Sequence, residues 1–467
     1  MIYKSKEDIL GEGVISYVDG KVEVKDLELF REKMVHNLVD TIILSDSPSL
    51  KKFCYFVTYQ VAINCNIIPS SIQELYEEKA RENFPPFTVP AINLRTLTFD
   101  LARAIFRAGE RLNGGAFIFE IAKSEIGYTD QSPQEYAACV LLAAIKENFR
   151  GPVFIQGDHF QVKAKNFFSN RDEEIKQIKD LIRKAVAAGF YNIDVDTSTL
   201  VDLSKPTYEE QQELNVQVCA ALTKFIREIQ PQRIDISIGG EIGEIGGKNS
   251  TSQELHAFMK SYSKEVGHLK KISKIAVQTG TRHGGVVLPN GTIAKVKIDF
   301  DTLKELSSLA RKEYGLAGCV QHGASTLPNE AFHRFPEVGC CEIHLATQFQ
   351  NIVYNYLPLP LKEEIYRWLH QNCGDERKPE HTDDQFIYST RKKALGPFKK
   401  KIYSLPHDLK DKISLILEKE FTFLFEELNI KDTKEIVNKY VHPVIIEKKE
   451  EDFFKQDEEL GDLSGAD

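Results

Sequence analysis

Histidines and carboxylates recur along the middle of the chain at nearly constant spacing. The steps between them are 37, 45, 42 and 39 residues, and they join His159, Asp196, Glu241, His283 and His322. Imidazole nitrogens and carboxylate oxygens together suit a borderline divalent cation such as zinc, with one position left for water or substrate. A single histidine on an apolar strand is usually structural, but a regular series favours one shared site.

Each of these residues lies at the end of a short apolar segment that predicts a β-strand. Eight such segments cover residues 91–96, 115–122, 152–159, 192–198, 233–243, 274–284, 318–325 and 340–347. Between them lie amphipathic stretches with apolar residues three and four apart, which predict helices. Eight strand–helix units in about 260 residues predict an α/β fold, the (β/α)8 TIM barrel. A doubly wound sheet is the alternative.

The carboxyl ends of the strands form one face of such a barrel, and catalytic residues gather there. The expected occupants include Asp158 beside His159, and His344 on the eighth strand. Glycines follow two of the other histidines, as Gly284 and Gly323. A residue without a side chain lets an anion approach the backbone N–H groups, although such glycines also simply turn a chain out of a strand.

The sequences on both sides of the predicted barrel have helical patterns. We predict a helical N-terminal extension over residues 1–85, the catalytic barrel over 86–351, and a helical C-terminal extension with an acidic tail over 352–467. A segment rich in Leu and Phe, residues 421–428, either packs on the barrel or supports a homo-oligomer.

Composition argues against several classes of function. The chain has 467 residues, with 60 Lys+Arg against 69 Asp+Glu and a net charge of −9, so a general nucleic-acid-binding surface is not expected. No apolar run approaches the roughly 18 residues of a membrane span, and the first residues lack the apolar core of a signal peptide. Eight scattered cysteines without a CxxC pair predict reduced core thiols. We therefore expect a cytoplasmic protein.

Four short motifs resemble those of one enzyme family. They are Gly157-Asp158-His159, the glycine-rich 239–247, the segment 280–284 and the segment 321–325. Their order and their places on strands three, five, six and seven resemble the class II, metal-dependent fructose- and tagatose-bisphosphate aldolases. The likeness extends over residues 89–351.

The resemblance implies a metal site and its surroundings. It implies that His159, His283 and His322 bind one catalytic zinc per chain, or another divalent cation. Glu241 would be the additional carboxylate ligand that some members use, and Asp158 would be the acid/base beside the metal. The residues that it places at the substrate, a phosphate or the surrounding network are Asn93, Asp196, Gly284, Gly323, Ser325, His344 and Thr347.

The activity that the resemblance implies is cleavage and formation of the C3–C4 bond of a ketose (bis)phosphate such as fructose 1,6-bisphosphate. Zinc as a Lewis acid would stabilise the enediolate of dihydroxyacetone phosphate, and Asp158 would move the hydroxyl proton. The expected protein is thus a lyase of carbohydrate metabolism and glycolysis. The resemblance to this family also suggests a homo-oligomer, either a dimer or a tetramer.

Two departures from the family pattern bear on mechanism and substrate. The family's second acid/base is a Glu that follows two glycines after strand five, and this chain has Lys, Asn and Ser there. Glu244 or Glu254 would have to substitute for it. The strand-eight motif, Asn-Ile-Asp-Thr in the family, is His344–Thr347 here, with Ala346 in place of the carboxylate.

Two other functions compete with a metal-dependent aldolase. Residues 157–159 and 195–198 also resemble the non-catalytic, stabilising subunit of tagatose-bisphosphate aldolase, whereas the retained His283 and His322 favour a catalytic protein. A class I aldolase needs a desolvated lysine inside the barrel. The lysines at the start of the sixth strand, Lys274 among them, are expected at the opposite end from the site.

Overall fold

The structure, a computed structural model, describes residues 1–243, 248–281, 288, 297–455 and 463. The elements before the barrel are α1 (Lys6–Gly11), β1 (Ile15–Val18), β2 (Lys21–Val24), α2 (Leu27–Leu29), α3 (Val35–Leu44), α4 (Pro48–Asn64), β3 (Ile67–Ser70) and α5 (Gln73–Ala80). Strands β1 and β2 form an antiparallel hairpin that the helical pattern of this region did not predict. Its turn is Asp19-Gly20, both residues having positive φ, as a two-residue hairpin turn requires.

Eight parallel strands form the centre of the molecule. The barrel strands are β4 (Val89–Asn93), β5 (Ile118–Ala122), β6 (Gly151–Gln161), β7 (Asn192–Asp196), β8 (Ser237–Glu241), β9 (Lys274–Val277), β10 (Cys319–Gln321) and β11 (Glu342–Leu345). The helices that follow them are α6 (Thr98–Arg111), α7 (Lys123–Thr129), α8 (Pro133–Lys146), α9 (Ala164–Ser169), α10 (Arg171–Ala188), α11 (Tyr208–Ile229), α12 (Ser252–Val266), α13 (Phe300–Tyr314), α14 (Arg334–Glu337) and α15 (Thr347–Tyr356).

The strands pair in chain order and the sheet closes on itself. β4 to β11 are each hydrogen-bonded to the next, and β11 pairs with β4 so that Leu345 lies opposite Ile92. The predicted TIM barrel is therefore confirmed. Strand β3 adds a short parallel edge beside the start of β6, with Ile67 opposite Gly151, and so attaches the N-terminal segment to the barrel.

Local sequence explains the long barrel helices. Ser132 caps α8, and Pro133 occupies its first turn, where a missing N–H costs nothing. Thr207 and Thr251 begin α11 and α12 with capping boxes, in which the threonine hydroxyl and a glutamate three residues later satisfy backbone N–H groups.

The C-terminal segment is helical, and its apolar surface packs on the barrel helices. Its helices are α16 (Leu359–Asn372), α17 (Asp383–Thr390), α18 (Lys399–Tyr403), α19 (His407–Glu427), α20 (Thr433–Tyr440) and α21 (Glu450–Phe454). In α19, Phe425 stacks on Phe117 at 5.3 Å and Phe421 lies 4.8 Å from Phe349. The Leu- and Phe-rich segment is thus covered within one chain, and the homo-oligomer stays a prediction. Among the described helices, none is long and apolar enough to cross a membrane.

Candidate active site

Strand β6 ends in an irregularity that presents two neighbouring residues to the barrel interior. Its register with β7 shifts between Gly157 and Phe160, and His159 lies within the shift at φ 40°, which is rare for a residue with a side chain. A Cβ atom at Gly157 would lie 2.4 Å from the ring of Phe160. Only a residue without a side chain leaves room for the Phe160 ring at this position. With the ring placed there, Asp158 and His159 both contact other residues of the barrel interior.

Three side chains from three strands converge beside Asp158. His159, Glu241 and His322 each offer one ligand atom, and these atoms all lie within 4.8 Å of one another. The imidazole rings of His159 and His322 have centroids 4.2 Å apart. Two imidazoles and a carboxylate at this spacing fit a divalent cation of the zinc type.

Asp196 fixes the orientation of His159. Its Oδ2 lies 3.0 Å from Nδ1 of the histidine and also accepts a hydrogen bond of 2.6 Å from Gln161. Its other oxygen accepts a hydrogen bond of 2.7 Å from the Ser198 hydroxyl. A carboxylate at one ring nitrogen is the usual partner of a metal-binding histidine, because it sets the tautomer that leaves the other nitrogen to the metal. Here that other nitrogen, Nε2, lies 3.8 Å from Asp158.

The charges around this triad also suit a cation. Burial by itself lowers the pKa of His159, but Asp158, Asp196 and Glu241 raise it well above its ordinary value. Burial and the neighbouring Asp196 raise the pKa of Glu241. For Asp196, burial is outweighed by hydrogen bonds, chiefly from His159, and the pKa is lowered. The negative charge of the carboxylates, which stabilises the protonated form of His159, would also attract a divalent cation.

His344 contacts both Asp158 and the triad. Its Nδ1 is 3.1 Å from Oδ1 of Asp158 and 3.2 Å from Oε2 of Glu120, and its Nε2 is 2.7 Å from Oε1 of Glu342. Its ring centroid is 4.1 Å from that of His322. Burial lowers the pKa of His344, but the carboxylates, Glu120 first, raise it well above its ordinary value.

A polar network that the sequence pattern did not predict fills the barrel below these residues. Lys274 is fully buried there and donates to Gln156 at 2.7 Å, to Asp194 at 3.0 Å and to Glu342. Lys274 is the first residue of β9, as expected, and its side chain faces the barrel interior, which the sequence pattern did not indicate. Burial lowers its pKa, but Asp194 and Glu342 raise it above its ordinary value, so the amine stays protonated. A protonated lysine is not a Schiff-base nucleophile.

The first glycine of the pair before Glu241, Gly239, is explained by this network. A Cβ atom at Gly239 would lie 2.3 Å from Oδ1 of Asp194 and 3.0 Å from Cε of Lys274. The sequence pattern also missed Glu120, which stands in the otherwise apolar strand IFEIA, and Glu342, which begins the strand EIHL. A charged residue inside a buried strand was the available signal for them.

The residues expected at the substrate lie at the ends of β4, β10 and β11. Asn93 is buried, and its Oδ1 has no hydrogen-bond partner within the described ranges. Gly323 adopts φ 66°, a left-handed conformation suited to glycine. Ser325 Oγ accepts a hydrogen bond of 2.7 Å from the backbone N–H of Ala346. Thr347 begins α15 and is buried.

Four further residues named from the sequence divide into two cases. His283, expected as a metal ligand, and Gly284 lie outside the described residues, as does Glu244. Glu254 lies within the described residues and forms part of the N-terminal cap of α12. Its carboxylate accepts from the backbone N–H of Thr251 at 2.8 Å and pairs with Lys248 at 2.8 Å.

Comparison with known families agrees with this arrangement. The model of the family described as fructose-bisphosphate aldolase class-II matches residues 71–404, more than two thirds of the chain. The chain belongs to this family. The resemblance seen in the four motifs is thereby confirmed, and the family is one of metal-dependent lyases. Of the candidate metal ligands, the described residues His159, Glu241 and His322 converge in the barrel.

Solved structures include distant likenesses to this class II aldolase-family chain. A fructose-bisphosphate aldolase from Campylobacter jejuni is 18% identical, with a TM-score of 0.47 over 79% of this chain and 97% of that one. A probable tagatose 6 phosphate kinase from Sinorhizobium meliloti is 14% identical, with a TM-score of 0.49 over 79% of this chain and 96% of that one. The family assignment rests on the family match and not on these distant likenesses.

Proposed function

We propose that this chain is a zinc-dependent class II aldolase that cleaves and forms the C3–C4 bond of a phosphorylated ketose. The observation that carries the proposal is the placement of Asp158 directly beside the ligand set of His159, Glu241 and His322. We propose one zinc per chain, with His283 completing the ligands.

Different residues of the chain have different roles in the proposed reaction. Zinc would supply Lewis-acid chemistry to the oxygen atoms of the ketose. In cleavage, Asp158 takes the proton of the C4 hydroxyl while the C3–C4 bond breaks, and in condensation it returns that proton. Asp196 holds His159 in the orientation that the ligand set needs.

A second acid/base must move the proton on the C3 carbon. Of the two candidates named from the sequence, Glu254 is held by Thr251 and Lys248 at the start of α12. We therefore propose Glu244 for this role. Glu244→Gln should stop exchange of the carbon-bound proton of dihydroxyacetone phosphate with solvent deuterium, whereas Glu254→Gln should keep it. Retained exchange in Glu244→Gln would exclude Glu244.

The phosphate would bind where the ends of β10 and β11 meet. Gly323, Ser325 and Thr347 lie there, Ser325 being hydrogen-bonded to the turn that leads into α15. Barrels of this type often bind phosphate with the loops after their seventh and eighth strands. Because Ala346 stands where the family motif has a carboxylate, this chain lacks one contact that the usual substrate would make there. An assay of several ketoses therefore identifies the substrate.

The cysteines support the proposal of a cytoplasmic location. All eight are buried and free, in agreement with reduced core thiols. Disulfides are instead typical of exported proteins.

The test is triose-phosphate release from a panel of ketose mono- and bisphosphates, with and without a chelator. We expect release by the zinc-loaded protein, its loss on chelation and its return with zinc. Asp158→Asn should bind zinc normally but lose about 100-fold or more in kcat. Release that persists after exhaustive chelation would refute the proposal. No release from any substrate, together with copurification of a separate aldolase, would instead identify a non-catalytic subunit.

A further inference from the structure

His344 is enclosed by carboxylates on both edges of its ring. Nδ1 faces Oδ1 of Asp158 at 3.1 Å, with Glu120 also within 3.2 Å, and Nε2 faces Oε1 of Glu342 at 2.7 Å. The side chain is 5% exposed. With a hydrogen-bond acceptor at each nitrogen, the ring is held in one plane and at one rotation.

Glu342 is itself fixed from several sides. Gln156 donates to it at 2.9 Å, and Lys274 and the Tyr76 hydroxyl also donate to it. None of these side chains has measurable exposure to solvent. A buried carboxylate held by three donors is a rigid support, so any movement of His344 would break several hydrogen bonds at once.

We propose that His344 is a positioning residue, which holds the Asp158 carboxylate for its proton transfer and is itself held by Glu342. The proposal rests on the aldolase function proposed above. It assigns His344 a role other than the substrate contact expected from its place on strand eight. It also differs from metal binding, a role that the proximity of His344 to His322 and Asp158 would otherwise permit.

Two partial reactions separate these roles. Cleavage moves the C4 hydroxyl proton to Asp158, the C3–C4 electron pair goes to the ketose fragment as an enediolate, and an aldehyde is released. Exchange of the C3 proton of dihydroxyacetone phosphate with solvent uses the other acid/base and does not need proton transfer by Asp158. A residue that positions Asp158 should therefore affect cleavage and spare exchange.

Amide side chains supply matched variants. The N–H of Asn can occupy the place of Nδ1 and donate to Asp158, whereas the longer Gln places its N–H near Nε2, on the Glu342 side. His344→Asn should therefore restore part of the cleavage activity that His344→Ala loses, and His344→Gln should not restore it. The comparison of the two amides stands even if His344→Ala fails to fold.

The experiment measures cleavage kinetics, solvent deuterium exchange into dihydroxyacetone phosphate and zinc content on each zinc-loaded variant. We expect His344→Ala and His344→Gln to lose about 100-fold in kcat for cleavage, with KM and exchange within about threefold of the unaltered protein and full zinc content. His344→Asn should regain at least about tenfold.

Several results would overturn the inference. Loss of zinc would make His344 a metal ligand, and a raised KM with unchanged kcat would make it a substrate contact. An equal loss of cleavage and exchange, or equal rates in the Asn and Gln variants, would leave it a structural residue. If the unaltered protein performs neither reaction, the proposed function itself fails, which is a separate and recognisable result.

Discussion

The buried ion pair of Lys274 and Glu342 allows one stability prediction to be worked out in magnitude. Lys274→Met keeps most of the side-chain volume but removes the lysine cation from Glu342, which then has His344 as its remaining cationic partner among the described residues, at a position with no solvent exposure. Removing one partner of a buried ion pair costs about 3–5 kcal/mol, because the remaining charge stays in a low-dielectric environment.

The pKa of Glu342 gives a second estimate of the free energy that the ion pair contributes. Burial alone raises this pKa, but Lys274 and then His344 lower it from 4.5 to about 2. A shift of that size corresponds to about 3 kcal/mol. The unfolding entropy is about 2.1 cal/mol/K per residue, or roughly 1 kcal/mol/K for 467 residues. The loss should therefore lower the melting temperature by about 3 °C.

The sign of the pH dependence follows from the same shift. A carboxylate with a lowered folded-state pKa contributes stability that is present above its unfolded pKa, near 4.5. That contribution is lost as pH falls toward the folded value of about 2. The destabilisation caused by Lys274→Met should therefore be largest at neutral pH and should diminish in acid.

Calorimetric melting at neutral and acidic pH is the assay. Lys274→Met should melt about 3 °C lower, and adding Glu342→Gln should recover part of the loss because it removes the unpaired charge. The exposed Lys312→Met is the matched control and should change stability by less than about 0.5 kcal/mol. Equal melting of Lys274→Met and the control, or no recovery in the double variant, would refute the ion-pair reasoning.

Two further predictions concern a glycine and a histidine. Gly239→Ala should melt several degrees lower, because its Cβ would lie 2.3 Å from Asp194, whereas Gly243→Ala, with its nearest neighbour at 3.4 Å, should melt almost normally. Similar melting of the two alanine variants would contradict the packing argument. Burial, with Lys146 and other cations, lowers the pKa of His36 from 6.5 to about 4. Since the unfolded chain then binds more protons in this range, stability should fall as pH drops from 6.5 to 4. His36→Gln should flatten that dependence in melting curves, and the exposed His268→Gln should leave it unchanged. An unchanged slope in His36→Gln would count against a partly buried, neutral His36.

The barrel could be predicted from sequence because its signals are local. Most strands are largely apolar runs, and β7 and β8 end in a carboxylate, while helices such as Thr98–Arg111 and Tyr208–Ile229 carry the expected periodicity over their whole length. The hairpin of β1 and β2 also has a local signal, the Asp19-Gly20 pair, which the helical interpretation of the first 85 residues overlooked.

The interior of the site could not be predicted, because its contacts join residues far apart in sequence. His344 and Asp158 are 186 positions apart in sequence, and Lys274 and Glu342, which form an ion pair, are 68 positions apart. A charged residue at the start of a strand gives no local indication that its side chain faces inward. The convergence of His159 and His322 was predictable only through the barrel itself, which brings the strand ends together.

Zinc stoichiometry tests the central claim most directly. The protein and two variants, His322→Ala and the half-exposed control His333→Ala, are stripped with a chelator, reloaded with zinc, freed of excess metal and analysed by mass spectrometry, with circular dichroism to confirm folding. The proposed function predicts about one zinc per chain in the protein and in His333→Ala, and a small fraction of that in folded His322→Ala. Full zinc content in folded His322→Ala, or none in the unaltered protein, would contradict the account.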